Sequence, residues 1–186
     1  MNLTELSKTI HQNAVNKGFW DKELSNEHCL MLVICELAEA IEADRKGKRA
    51  NIEYFKSIDF DKSKDPQQMF KDKFEHCIKD TVEDELADAV IRLLDLSGVM
   101  GIEIKAVNKL SDEDVEYYRR TFPLPVFCYY CSRTLTKFDS ETQYRIINGI
   151  GAIIAYCQAN DINLMWHIEQ KMKYNESREQ LHGKKY

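Results

Sequence analysis

Two short acidic repeats carry the chemistry this chain could do: Glu36-Leu37-Ala38-Glu39 and Glu85-Leu86-Ala87-Asp88. In each, two carboxylates stand three residues apart inside an apolar run, and on a helix residues at i and i+3 share a face about one turn apart. A helix pair that set the two faces against each other would gather four acids. An unpaired buried carboxylate is costly, so a helix that keeps two of them among Leu30, Met31, Leu32, Val33, Ile34 and Ile41 implies a counter-charge. The simplest is a hard divalent cation. Mg²⁺, with Mn²⁺ as a substitute, is held through a few carboxylates, retained waters and substrate phosphates. With a triphosphate completing the shell, such ions polarise a phosphoryl oxygen, neutralise a leaving pyrophosphate and activate a water. A carboxylate not committed to metal can take the proton of the attacking water, and Glu39 is the candidate, with Glu36 beside it. A lone Glu-x-x-Glu is ordinarily a solvated helix face; two of them inside apolar helices make the metal reading worth weighing. An oxygen-activating di-iron bundle would need Glu-x-x-His from two helices, and the chain does not carry two such motifs.

The elements that must position these acids read as helices. In 186 residues there are only seven Gly and three Pro, with long periodic stretches between them, which points to an all-α protein with one sizeable core. Residues 3 to 17 form a first helix with Leu3, Leu6, Ile10 and Ala14 on one stripe, ending at Gly18. Ser25 caps a second that begins near Asn26 and carries the first acidic pair to Asp44. It is apolar almost all round at its middle and is expected to be central. The polar stretch from 50 to 66, with Asp59, Asp61, Lys62 and Lys64, reads as an irregular excursion or mobile loop. Helicity resumes at Pro66 and is nearly continuous from Gln67 to Ser97. There Leu86, Val90, Leu93, Leu94 and Ser97 form the packing stripe, and Glu85, Asp88, Arg92 and Asp95 lie on another side. Ser111-Asp112-Glu113-Asp114 looks like a capped helix start, Thr121 to Pro125 a break, and Val126 to Leu135 a short buried helix. Glu141 to Ala159 is amphipathic, with Gly149 and Gly151 permitting close packing, and a last helix runs from Asn163 to about Arg178.

Composition excludes other classes. A net charge of −5 gives no general reason to expect binding of a nucleic-acid polymer. No apolar run approaches the roughly 20 residues of a membrane span, and Met1 to Glu5 opens no signal peptide. Six cysteines without a disulfide framework fit a reducing compartment, so a cytoplasmic location is expected. Cys128 and Cys131 have the spacing of a redox or metal pair, but Phe127, Tyr129 and Tyr130 around them look like core.

Taken in order, Ala14, Gly18-Phe19-Trp20, Glu36-Leu37-Ala38-Glu39-Ala40, Arg45, Glu85-Leu86-Ala87-Asp88 with Ile91 to Leu96, and late Lys171 to Arg178 with His182-Gly183-Lys184, resemble a MazG-like protein. These belong to the all-α nucleoside triphosphate pyrophosphohydrolases, whose hallmark is E-x-x-E, a spacer, then E-x-x-D. The resemblance covers a little over half the chain. It implies one helical bundle over 1–186 with insertions at about 47–78 and 105–160. It also implies hydrolysis of a nucleoside or deoxynucleoside triphosphate to the monophosphate and pyrophosphate. Mg²⁺ would sit on Glu36, Glu39, Glu85 and Asp88, with Asp95 as an outer ligand or a partner of Arg92. Lys171, Lys173, Asn175 and Arg178 would meet phosphate or ribose, and Trp20 would stack on the base or pack in the core. A homodimer or homotetramer would be the working state. The 45-residue spacer between Glu39 and Glu85 and the stretch from about 105 to 160 depart from the compact members, which leaves the preferred base open. The alternative is a non-catalytic helical protein that binds nucleotide or a partner; decay of an acid would favour it, and all four acids are present.

Overall fold

The computed structural model describes residues 2–57, 65–104 and 109–183, and among them the chain is all-α, with nine helices and no strand. These are α1 (Leu3–Asn16), α2 (Asn26–Arg45), α3 (Ile52–Ser57), α4 (Pro66–Cys77), α5 (Val82–Val99), α6 (Asp112–Thr121), α7 (Leu124–Leu135), α8 (Thr142–Ala159) and α9 (Leu164–Glu176). No described helix is long and apolar enough to cross a membrane. The charged run Asp59 to Lys64 and the terminal Lys184, Lys185 and Tyr186 lie outside the described residues.

The caps explain most boundaries. Asn2, Ser25, Asp65, Thr81 and Ser111 each accept a backbone N–H from the first turn of the following helix. Ser111 and Asp114 close a reciprocal capping box. Two expectations change. The stretch after α2 is not wholly irregular, because Ile52–Ser57 is a helical turn and a half that buries Phe55 against Phe70 and Phe74. The run from Gln67 to Ser97 is two helices. Asp80 turns the chain with φ 59°, and Thr81 caps a new start, its hydroxyl taking the Asp84 N–H. That corner lets Phe74, Cys77 and Ile78 join a small aromatic cluster with Tyr174 of α9, separate from the main core.

The central element is α5 rather than α2. α5 packs against α1, α2, α8 and α9, and Leu86, Val90, Leu93, Leu94 and Ser97 are all fully buried. At roughly 1.5–3 kcal/mol for each fully buried large apolar side chain, this stripe is a main source of stability. α2 instead presents Met31 and Glu39 to solvent on one side. Two close approaches fix the frame. A Cβ on Gly98 would lie 2.6 Å from His11 Cβ and 2.9 Å from the Ser7 carbonyl, so only glycine lets α1 and α5 touch there. Gly149 likewise admits Leu135 and Leu93, whereas a Cβ on Gly151 would meet nothing within 4 Å. Cys128 and Cys131 are buried free thiols in the core beside buried Phe127, both pushed up to about 12 by burial, with Cys131 adding to the shift at Cys128, whereas Tyr129 and Tyr130, expected in the core, face outward on α7.

Candidate functional site

The register of α2 on α5 follows from their connection. Val82 donates to the Lys48 carbonyl at 3.3 Å, Arg49 pairs with Glu83 at 3.0 Å, and the Ala50 N–H donates to Glu83 at 3.0 Å. The C-terminal end of α2 is thereby pinned to the first turn of α5, and the helices run antiparallel. Glu36 and Glu39 lie two to three turns before that junction, and Glu85 and Asp88 one to two turns after it. One carboxylate oxygen from each of Glu36, Glu39 and Glu85 falls within 4.8 Å of the others. Glu36 and Glu85 are 4% and 5% exposed, and Glu39 is open to solvent.

Bringing these acids together has an electrostatic cost that appears in their proton affinities. Burial, then repulsion from Asp88 and Asp84, pushes Glu85 up to about 9. Burial, then Asp88, also raises Glu36, against the pull of Arg92. Hard oxygen donors that resist ionisation in each other's presence are a set that a divalent cation would satisfy.

The fourth acid of the sequence motif is engaged elsewhere. Asp88 Oδ2 lies 2.8 Å from Lys171 Nζ, and the same ammonium lies 2.8 Å from Asp84 Oδ2. Lys171 is 5% exposed and Asp84 1%. Burial works against the Lys171 charge, but the two aspartates outweigh it and hold the ammonium protonated. Lys171, expected at phosphate or ribose, stands here as a buried counter-ion to the two aspartates. Asp84 also accepts the Asp80 N–H at 3.1 Å, while its Oδ1 has no hydrogen-bond partner among the described residues.

Beside the acids opens a cavity of about 270 Å³. Asp88 and Arg92 stand at its border with the acid cluster, Trp20, Leu24, Cys29 and Ile91 give it apolar walls, and Asn175 and Arg178 line it from the end of α9. The tail of α9 is held there by α1, because Lys17 Nζ donates to the Glu176 carbonyl at 2.9 Å and Leu181 N–H to the Lys17 carbonyl at 2.8 Å. Asn175 Oδ1 is buried with no partner among the described residues. Lys173 points the other way: it is exposed, its ammonium 4.4 Å from the Phe70 ring centroid, and it does not line the cavity. Trp20 and Asp95 form one unit. The indole N–H donates to both Asp95 oxygens, at 3.0 and 3.1 Å, and His11 Nδ1 is 2.8 Å from Asp95 Oδ1. Asp95 therefore orients an aromatic wall: its hydrogen-bond partners among the described residues are Trp20 and His11, and the Arg92 charge acts on it without a hydrogen bond.

Arg92 was not among the expected site residues, although it follows Asp88 by one helical turn. Its Nε donates to Glu36 Oε1 at 2.5 Å. Burial works against its charge, yet Glu36 and then Asp88 more than offset it and raise its pKa. Asp84 was also missed; its position before the motif gave no sign of a lysine 87 residues away. Comparison of the chain with protein-family models, curated proteins and solved structures returned no match.

Proposed function

We propose that this protein is a divalent-metal-dependent nucleoside triphosphate pyrophosphohydrolase of the MazG-like kind. The observation that carries the reading is the convergence of Glu36, Glu39 and Glu85 within 4.8 Å beside a cavity with one aromatic wall and a basic and amide rim. Three carboxylates from two helices suit Mg²⁺ or Mn²⁺ by their hard oxygen chemistry. A cation bound there supplies Lewis acidity at the phosphate and relieves the mutual repulsion of the acids.

The chain's own groups divide the remaining work. Glu36 and Glu85 are fixed by burial and serve as ligands. Glu39, the exposed member, takes a proton from the attacking water. The water oxygen bonds to phosphorus at the α–β anhydride, the bond to the bridging oxygen breaks, and pyrophosphate leaves from the nucleoside monophosphate. Trp20, held by Asp95, offers a flat face for the base, while Asn175 and Arg178 face the sugar and phosphate end. Asp88 keeps one oxygen on Lys171 and has the other for the metal. The reading carries with it a homodimer or homotetramer, to be measured by light scattering.

The test is pyrophosphate release from a panel of canonical, deoxy and modified nucleoside triphosphates with Mg²⁺, run beside Glu39→Gln. Monophosphate and pyrophosphate that disappear in a folded Glu39→Gln variant support the reading and rank the bases. A folded wild-type protein that turns over no triphosphate overturns it in favour of a non-catalytic nucleotide-binding or interaction role.

A further inference from the structure

The pyrophosphohydrolase reading requires cations for the substrate phosphates, and the structure has already spent the first candidate. Lys171 is buried between Asp84 and Asp88 at 2.8 Å from each. Lys173 lies over Phe70, away from the cavity. The cation that stands at the border between acid cluster and cavity is Arg92, on α5 one turn beyond Asp88.

A guanidinium has five N–H donors in a rigid fork. Arg92 uses one, its Nε–H, on Glu36 Oε1, and neither terminal nitrogen has a hydrogen-bond partner among the described residues. Its side chain is 27% exposed, open enough to meet a ligand yet partly screened from solvent. Glu36 thus fixes the plane of the fork through one edge and leaves the other edge unsatisfied. A planar double donor of this kind matches phosphate oxygens, which is why arginine outperforms lysine where geometry counts.

Resting on the proposed activity, we propose that Arg92 binds a non-bridging phosphate oxygen of the triphosphate through its terminal nitrogens while its Nε stays on Glu36, coupling a metal-binding carboxylate to the phosphate chain. One residue then registers the nucleotide against the acid cluster. Lysine cannot replace it, because a single ammonium cannot hold the same plane against both partners.

The experiment uses Mn²⁺ alone and inorganic tripolyphosphate with Mn²⁺ as probes, on the full chain and on Arg92→Gln and Arg92→Lys, each checked for helical content by circular dichroism. Mn²⁺ binding is read from the free-ion magnetic resonance signal and tripolyphosphate binding by calorimetry. The expected result is that Arg92→Gln weakens tripolyphosphate roughly ten- to hundredfold, the loss of charge-assisted hydrogen bonds, while Mn²⁺ alone binds as well or more tightly because a competing positive charge is gone. Arg92→Lys falls between the two and carries the test should the glutamine variant fail to fold. Tripolyphosphate affinity unchanged within about twofold in both variants, for a loss far below one charge-assisted bond, overturns the proposal. So does a parallel loss of Mn²⁺ affinity, which would mark Arg92 as a mere support for Glu36, and so does a wild-type chain that binds no tripolyphosphate. Binding that depends on Arg92 without any triphosphate turnover would instead sink the hydrolase reading and leave the phosphate role standing.

Discussion

Replacing Lys171 with methionine isolates the electrostatics beneath the acid cluster. The ammonium is 5% exposed and sits 2.8 Å from both Asp84 and Asp88, and Asp84 is 1% exposed. Methionine fills the volume of the lysine stem, so packing is nearly conserved. What is lost is the charge that compensates two aspartates one turn apart. Breaking a buried pair by removing one partner costs about 3–5 kcal/mol, because the other charge stays buried and uncompensated. Against a typical total of about 5–15 kcal/mol, the variant would be marginal. For a domain of this size each kcal/mol lowers the melting temperature by roughly 2–4 °C, so the drop should be about 6–20 °C. Asp84→Asn combined with Lys171→Met removes the fully buried acid as well and should recover about half or more of the loss. The assay is denaturant unfolding followed by far-ultraviolet circular dichroism at pH 7.5 in a chelator, so that metal does not contribute. A single-variant cost below about 1 kcal/mol, the range of an exposed ion pair, would refute the reasoning. A double variant no more stable than the single one would do the same.

Other expectations follow from the same frame. In chelator, Glu85 at about 9 and Asp84 at about 6 both lie above their unfolded values, so these two groups hold more protons folded than unfolded between about pH 4 and 9, and together they outweigh buried His167, which burial lowers to about 4. Stability should therefore be greatest near the acid end of that window and fall as pH rises through it, with Mn²⁺ restoring it at pH 8; thermal melts at pH 5.5 and 8.5 check this, and a rise in stability with pH in chelator would contradict it. Gly98→Ala forces a Cβ to 2.6 Å from His11 and should cost about 1–3 kcal/mol by overpacking, less the helix propensity gained. Gly151→Ala, with nothing within 4 Å of the new methyl, should stabilise by about 0.5–1 kcal/mol. Equal shifts for the two glycines in urea unfolding would argue against the close α1–α5 approach.

Much of the framework was legible because helix periodicity and caps are local signals. Ser25, Ser111 and the packing stripe of α5 could be read directly, since each depends on neighbours within about one or two turns. The split between α4 and α5 was harder to see. Apolar periodicity runs on through residues 78 to 81, and only Asp80 in the left-handed region, held by its N–H on Asp84, turns the chain. The short helix at Ile52–Ser57 was masked by its polar setting, because what stabilises it is Phe55 meeting Phe70 and Trp166 from distant elements.

The sequence by itself determined which residue types were available and on which helical faces they stood: two acid pairs at i and i+3, an apolar stripe beside each, and a late helix rich in lysine and amide groups. Tertiary structure alone decided their partners. Three of the four acids meet because the residues after α2 clamp onto the first turn of α5. Asp88 and Lys171 pair because α9 packs on α5 and buries the ammonium, while Asp88 keeps an edge toward the cavity. Trp20, in the turn between α1 and α2, faces a cavity because Asp95 of α5 takes its N–H. A charge's role depends on what lies within about 4 Å of it, and in a folded chain that neighbour comes from tens of residues away, where no local pattern reaches.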